Sequence, residues 1–155
     1  MKRKPRILLI EDNVSFGAMI YDDLVQIGKT SWMNSESDFQ KYWTFIEAEP
    51  PDLAVVDVML AWTHPIKDDT DTSSPEDDFL YPAGLRCAEK FASNEQTRHV
   101  RIIFYTVVPQ SDVKERLAEL RRQLPNIVYL QKPSDLASAV SEIVRLMPEE
   151  NLAVR

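Results

Sequence analysis

Short apolar runs alternate along the chain with longer stretches in which apolar positions recur every three or four residues. Runs 6–10, 53–56, 101–105 and 127–130 are rich in aliphatic, often branched residues and predict buried strands, with a weaker fifth near 30–33. Between them, Phe16, Ile20 and Leu24 share one helical face, and Phe39, Trp43 and Ile46 share a second. Gly28 is placed to end the first helix. A third helix is expected from residue 84 to about 92. A fourth carries Val113, Leu117, Leu120 and Leu124 on one face, capped by Ser111 and closed by Pro125. In the fifth, Ser134 can cap, Asp135 suits the positive end of the helix dipole, and Leu136, Val140, Ile143 and Met147 form the apolar stripe that stops near Pro148.

Strands alternating with helices predict right-handed crossovers, an α/β architecture with a doubly wound parallel sheet, and helices on both faces. One stretch breaks the rhythm. Residues 62–83 contain Pro65, Pro75 and Pro82, two serines, three threonines and six acids (Asp68, Asp69, Asp71, Glu76, Asp77 and Asp78) against Lys67, a net of −5. They read as an inserted acidic loop, unusually long for a compact domain. Residues 1–148 are expected to form one domain, with 149–155 a frayed tail.

The whole chain of 155 residues carries a net charge of −7, so most of the excess sits in the inserted stretch. That balance opposes general adsorption to nucleic acid, whose phosphates it would repel. No apolar run approaches the roughly 20 residues that span a bilayer. The single cysteine, Cys87, has no internal partner, and the opening residues lack the apolar core of a signal peptide. A cytoplasmic protein is expected, without membrane insertion.

In open parallel sheets, ligands collect beyond the carboxyl ends of the strands. The residues at those ends are Glu11 and Asp12 after the first strand, Asp57 after the third, Thr106 after the fourth, and Lys132 with Pro133 after the fifth. Three carboxylates meeting at one edge repel one another unless neutralised, most simply by a hard divalent cation with oxygen ligands, for which Mg²⁺ is the natural candidate. A carboxylate can also act as nucleophile toward a phosphoryl group when the incoming negative charge is countered. The cation, Lys132 and the Thr106 hydroxyl supply that counterbalance.

The stretches Ile-Leu-Leu-Ile-Glu11-Asp12-Asn, Pro-Asp-Leu-Ala-Val-Val-Asp57, Ile-Ile-Phe-Tyr-Thr106 and Tyr-Leu-Gln-Lys132-Pro133 together resemble the receiver domain of response regulators in two-component signalling, in family order and over nearly the whole chain outside the insertion. The resemblance implies a CheY-like, flavodoxin-like (βα)5 fold with strand order 2-1-3-4-5. It implies phosphorylation on Asp57, Mg²⁺ held by Glu11, Asp12, Asp57 and the main-chain carbonyl of Met59, and phosphoryl oxygens met by Thr106 and Lys132. Pro133 becomes a cis-peptide candidate. The implied donor is a sensor histidine kinase or a histidine phosphotransfer protein. Thr106 and Tyr129 would act as the switch, altering the face formed by helix four, strand five and helix five. No effector domain follows, so the expected output is a downstream protein partner, and the same face is a candidate homodimer surface. The chain would then be a phosphoacceptor with assisted self-phosphorylation, not an enzyme.

Several positions depart from the family. Ala61 stands where proline is usual, and the glycine expected soon afterwards arrives only at Gly84, beyond the insertion. Val107 replaces a small residue and is expected to narrow access to the site. Met59 and Val108 stand where polar groups often orient the hydrolytic water, so a slowly hydrolysing phosphoaspartate is expected. Rival readings are a receiver-like interaction scaffold indifferent to phosphorylation, and an aspartate-nucleophile phosphatase. The phosphatase would carry Asp-x-Asp where this chain has Asp57-Val58-Met59. A nucleotide or flavin binder would need a phosphate cradle where Glu11-Asp12-Asn13 lies. Asp69 and Asp71 lack the glycine and terminal glutamate of a calcium loop. His64 and His99 have no ligand companions, and Cys87 reads as core.

Overall fold

The computed structural model describes residues 3–60 and 82–148. Expectations attached to Ala61, His64, Asp69, Asp71, most of the acidic insertion and the tail 149–155 lie outside the described residues. The five expected strands form as β1 (Arg6–Ile10), β2 (Lys29–Met33), β3 (Leu53–Val56), β4 (Arg101–Thr106) and β5 (Val128–Gln131). They pair in parallel in the order β2-β1-β3-β4-β5, so the crossover reverses direction at β1 and β3.

Strand alternation divides the core. Leu8, Ile10, Ala54, Val56, Ile102 and Phe104 point to one face, under α2 (Glu36–Lys41), α3 (Trp43–Ala48), α4 (Ala83–Ala92) and α5 (Lys114–Gln123). Ile7, Leu9, Leu53, Val55, Ile103 and Tyr105 point to the other, under α1 (Val14–Ile27) and α6 (Leu136–Leu146). Burial on both faces explains why the central strands read as continuous apolar runs. Each fully buried aliphatic side chain contributes about 1.5–3 kcal/mol. β5, at the sheet edge, is half-buried over its first three residues and exposed at Gln131, a correction to the expectation of a buried strand.

Three helical details also differ from expectation. The second helix is broken at Tyr42, which closes α2 by donating its N–H to Asp38 and opens α3. Phe39 and Trp43 still meet Phe91 together, at 5.5 and 5.6 Å between ring centroids, so the apolar face survives the break. Ser111 caps nothing: a 3₁₀ turn, Gln110–Val113, leads into α5, which has no side-chain cap. The cap of α6 is Asp135, which accepts the Ser138 N–H at 3.0 Å, while Ser134 gives its hydroxyl to the Gln131 carbonyl. An acidic cap both satisfies an orphan donor and suits the dipole.

Among the described residues, no helix is long and apolar enough to cross a membrane.

Candidate functional site

Main-chain bonding continues one residue past several strands and fixes what stands there. Glu11 donates its N–H to the Met33 carbonyl at 3.0 Å, Asp57 to Ile10 at 3.0 Å and Lys132 to Thr106 at 2.8 Å. Each backbone is therefore held by the sheet, and each polar side chain leaves it at the carboxyl edge. Glu11, Asp57 and Thr106 are buried, whereas Asp12 and Lys132 are half-buried. The peptide between Lys132 and Pro133 is cis.

Glu11, Asp12 and Asp57 each offer a carboxylate oxygen, and these three atoms lie within 4.8 Å of one another. Lys132 Nζ reaches two of the three groups, at 2.5 Å to Glu11 Oε1 and 3.0 Å to Asp57 Oδ2. The other Asp57 oxygen, Oδ1, accepts the Met59 N–H at 3.1 Å, which folds the turn after β3 back over the carboxylate. Burial, then the neighbouring Asp57 charge, push Glu11 up to about 8 against the pull of Lys132. Lys132 stays a cation: burial alone would lower its pKa, but its hydrogen bond to Glu11 and the charges of Asp57 and Glu11 outweigh this and raise it. One ammonium thus faces three acids.

Gly84 explains how α4 can lie against this site. A Cβ there would stand 2.0 Å from the Asp57 carbonyl oxygen and 2.8 Å from Val58 Cα. Only glycine lets the first turn of α4 approach so closely, and its N–H bonds the Val58 carbonyl at 2.8 Å. The late glycine is therefore a packing requirement of the turn that follows β3.

Val108 links two other expected residues. Its N–H donates to Thr106 Oγ1 at 3.3 Å, and its carbonyl accepts the Tyr129 hydroxyl at 2.6 Å. Burial, with smaller contributions from Asp57 and Asp112, raises the Tyr129 phenol to about 12, so it remains a donor. The Val108 side chain packs against the core, and Val107 is 64% exposed. Met59 is half-buried beside the Asp57 turn.

Three aromatic residues belong to the site although the sequence reading placed them only in helix and strand patterns. Lys132 Nζ lies 4.3 Å from the centroid of the Phe16 ring and 5.8 Å from that of Tyr105. Those two rings stack at 6.1 Å, and the Tyr105 hydroxyl donates to the Ser134 carbonyl at 2.8 Å. Trp32 donates its indole N–H to the Glu11 carbonyl at 2.9 Å. Gly17 makes room for it, since a Cβ there would come within 2.3 Å of the indole ring. Aromatic residues flanking the strand ends were the available signal, but pairing Phe16 with Lys132 requires the β1-to-β5 topology.

No protein-family model matches the sequence, and no curated protein is significantly similar to it. The fold, by contrast, matches 205 chains of solved structures. A sensor protein from Polaromonas sp. JS666 superposes with a TM-score of 0.64 at 18% identity, over 97% of this chain and 99% of that one. A response regulator receiver protein from Pseudomonas putida gives 0.63 at 14% identity, over 94% and 99%. The beryllofluoride-activated receiver domain of DrrB gives 0.61 at 16% identity, over 91% and 94%. The fold is that of a response regulator receiver domain. At these identities the likeness settles the receiver architecture, and the chemistry rests on the side chains at its carboxyl edge.

Proposed function

We propose that this receiver accepts a phosphoryl group on Asp57 from the phosphohistidine of a sensor histidine kinase or a histidine phosphotransfer protein. The supporting observation is the convergence of Glu11, Asp12 and Asp57 around one lysine that bonds two of them. The neighbouring fold of DrrB is beryllofluoride-activated and that of the cyanobacterial regulator RcpA is phosphorylated, which favours the same chemistry here.

The donor set fits Mg²⁺: three carboxyl groups offer oxygens within 4.8 Å of one another, and burial, then the Asp57 charge, raise Glu11 to about 8, a cost that a bound cation would offset. Glu11, Asp12, Asp57 and the Met59 carbonyl would hold the ion, which when bound supplies positive charge against the phosphoryl oxygens. In the transfer, an Asp57 oxygen forms the new O–P bond as the P–N bond to the donor imidazole breaks, the electron pair leaving on the imidazole nitrogen. Lys132 moves from bridging carboxylates to pairing with a phosphoryl oxygen. Such positioning and charge stabilisation are most of what phosphoryl transfer asks of a protein.

Thr106 Oγ1 accepts from Val108, so its own proton is available to a phosphoryl oxygen. A shift of Thr106 toward Asp57 pulls on Val108, whose carbonyl holds Tyr129. Thr106 and Tyr129 would thereby change the face of α5, β5 and α6, which corresponds to the helix-four, strand-five, helix-five face of the family and would meet a protein partner. Such an output requires two states already within a few kcal/mol of each other.

The test is treatment with acetyl phosphate or beryllofluoride in Mg²⁺. Modification of one site, lost in Asp57→Asn, is expected. Partner binding unchanged by Asp57→Asn would favour a phosphorylation-independent scaffold, and turnover of a generic phosphomonoester would favour a phosphatase.

A further inference from the structure

Lys132 has three N–H donors, and two of them are engaged by Glu11 and Asp57. Its ammonium also stands over the Phe16 ring, 4.3 Å from the centroid, with the side chain 10% exposed. Aromatic faces attract cations most strongly when both are withdrawn from water. The seat is firmly built. Asn13 caps α1 by accepting the Phe16 N–H at 2.8 Å, so the residue following the acid pair sets where the ring stands. From the other side Tyr105 stacks against Phe16 and holds Ser134 through its hydroxyl, which fixes the loop that follows Lys132.

We infer that Phe16 is a positioning residue for phosphoryl transfer, its ring face holding the Lys132 ammonium beside Asp57. This rests on the phosphoacceptor reading above. The chemical need is specific: once a cation claims Glu11, Lys132 loses one of its two carboxylate anchors while still having to meet the incoming phosphoryl oxygens. A ring face holds the ammonium without occupying its N–H donors, whereas a third carboxylate would compete with the phosphoryl group for them. Tyr105, farther from Nζ, backs the ring and ties down the loop.

Three variants test it: Phe16→Leu, Phe16→Trp, and 3,4,5-trifluorophenylalanine at position 16, which keeps the ring's shape but removes most of the negative charge on its face. Phe16→Leu should lower the maximal rate of Asp57 labelling by acetyl phosphate by about three- to tenfold. Its Mg²⁺ affinity and acetyl phosphate half-saturation should not change. Phe16→Trp should label at the wild-type rate, and the trifluoro protein should slow although its packing is retained. The Lys132 ε-methylene protons should carry an upfield ring-current shift that Phe16→Leu removes. Wild-type labelling rates in the Leu variant, or a wild-type rate in the trifluoro protein, would overturn the role of the ring face. If the wild-type protein itself takes no label on Asp57, the phosphoacceptor reading falls and this inference falls with it.

Discussion

β3 carries an aspartate at each end, and the two have opposite surroundings. Asp52, before the strand, and Asp57, after it, are both buried. Asp52 is saturated: Arg3 binds it through two nitrogens at 2.9 and 2.8 Å, and the Arg6 N–H adds a third bond at 2.8 Å. One guanidinium answers one carboxylate, a geometry that fixes a position. Among the described residues, Asp57 accepts the Met59 N–H and shares with Glu11 a lysine that bonds both. The two aspartates differ in the balance of charge around them, and of the two only Asp57 lies at the carboxyl edge, where ligands collect in such sheets.

The largest expected contrast comes from removing each carboxylate's charge. Asp57→Asn should abolish phosphoryl labelling and, without Mg²⁺, leave the fold as stable or up to about 1 kcal/mol more stable, since Glu11 is relieved of the charge that helps hold it protonated and can pair with Lys132 instead. Asp52→Asn should retain labelling but lose about 2 kcal/mol in urea denaturation, because Arg3 keeps its charge in a half-buried place. A next step removes the shared cation. Lys132→Met should slow labelling by about 10²-fold, as loss of one preorganised charge-stabilising group does. It should also tighten Mg²⁺ binding, since the competing ammonium is gone. If the two asparagine variants behaved alike in both assays, charge balance would not be what distinguishes the two ends of β3.

Glu11, beside Asp57, should also make stability depend on pH. Glu11 is raised from an ordinary 4.5 to about 8 in the folded protein, by burial first and then by Asp57. The folded state therefore binds more protons than the unfolded chain between these values. The stabilising contribution is fully present below about pH 4.5 and is lost as pH rises through about 8. Without Mg²⁺, urea stability attributable to this group should fall across that window, and the slope should disappear in Glu11→Gln. Mg²⁺ affinity should rise over the same window, since binding displaces the proton. Asp52→Asn should leave this slope in place.

Much of this contrast could be read from residue order, and the rest depends on the third dimension. The alternation of apolar runs with helical spacing placed β1 and β3 with their observed bounds, and it put Glu11, Asp12, Asp57, Thr106 and Lys132 at strand ends where the sheet brings them together. Charge balance was not visible in the same way. The partner of Asp52 is Arg3, far away in sequence, and the ring under Lys132 belongs to α1. The break at Tyr42 escaped notice because neither glycine nor proline marks it, and the apolar stripe of Phe39, Trp43 and Ile46 runs through it. Ser134 looked like a cap by residue type, yet Asp135 takes that place while Ser134 binds Gln131 and Tyr105. Local chemistry allowed either residue, and the tether to Tyr105 decided.

The smallest expected effect concerns how fast the site empties. At both ends of β3 a main-chain N–H holds one carboxylate oxygen, from Arg6 at Asp52 and from Met59 at Asp57. Because the Met59 donor is backbone, Met59→Asn should leave that bond intact and alter folding stability by no more than about 0.5 kcal/mol. What changes is the side chain beside the proposed acyl phosphate. An amide can orient a water for attack on phosphorus where a thioether cannot. Loss of label from purified phosphoprotein in Mg²⁺ should therefore be slow in the wild type and several-fold faster in Met59→Asn. Val108 is a poorer choice for the same experiment, since its side chain packs on the core and its backbone joins Thr106 to Tyr129, so a substitution there disturbs packing and switch together. Equal decay rates in the wild type and Met59→Asn would mean that the side chain at position 59 does not set the lifetime, leaving the hold of Lys132 on the phosphoryl oxygens as the next property to vary.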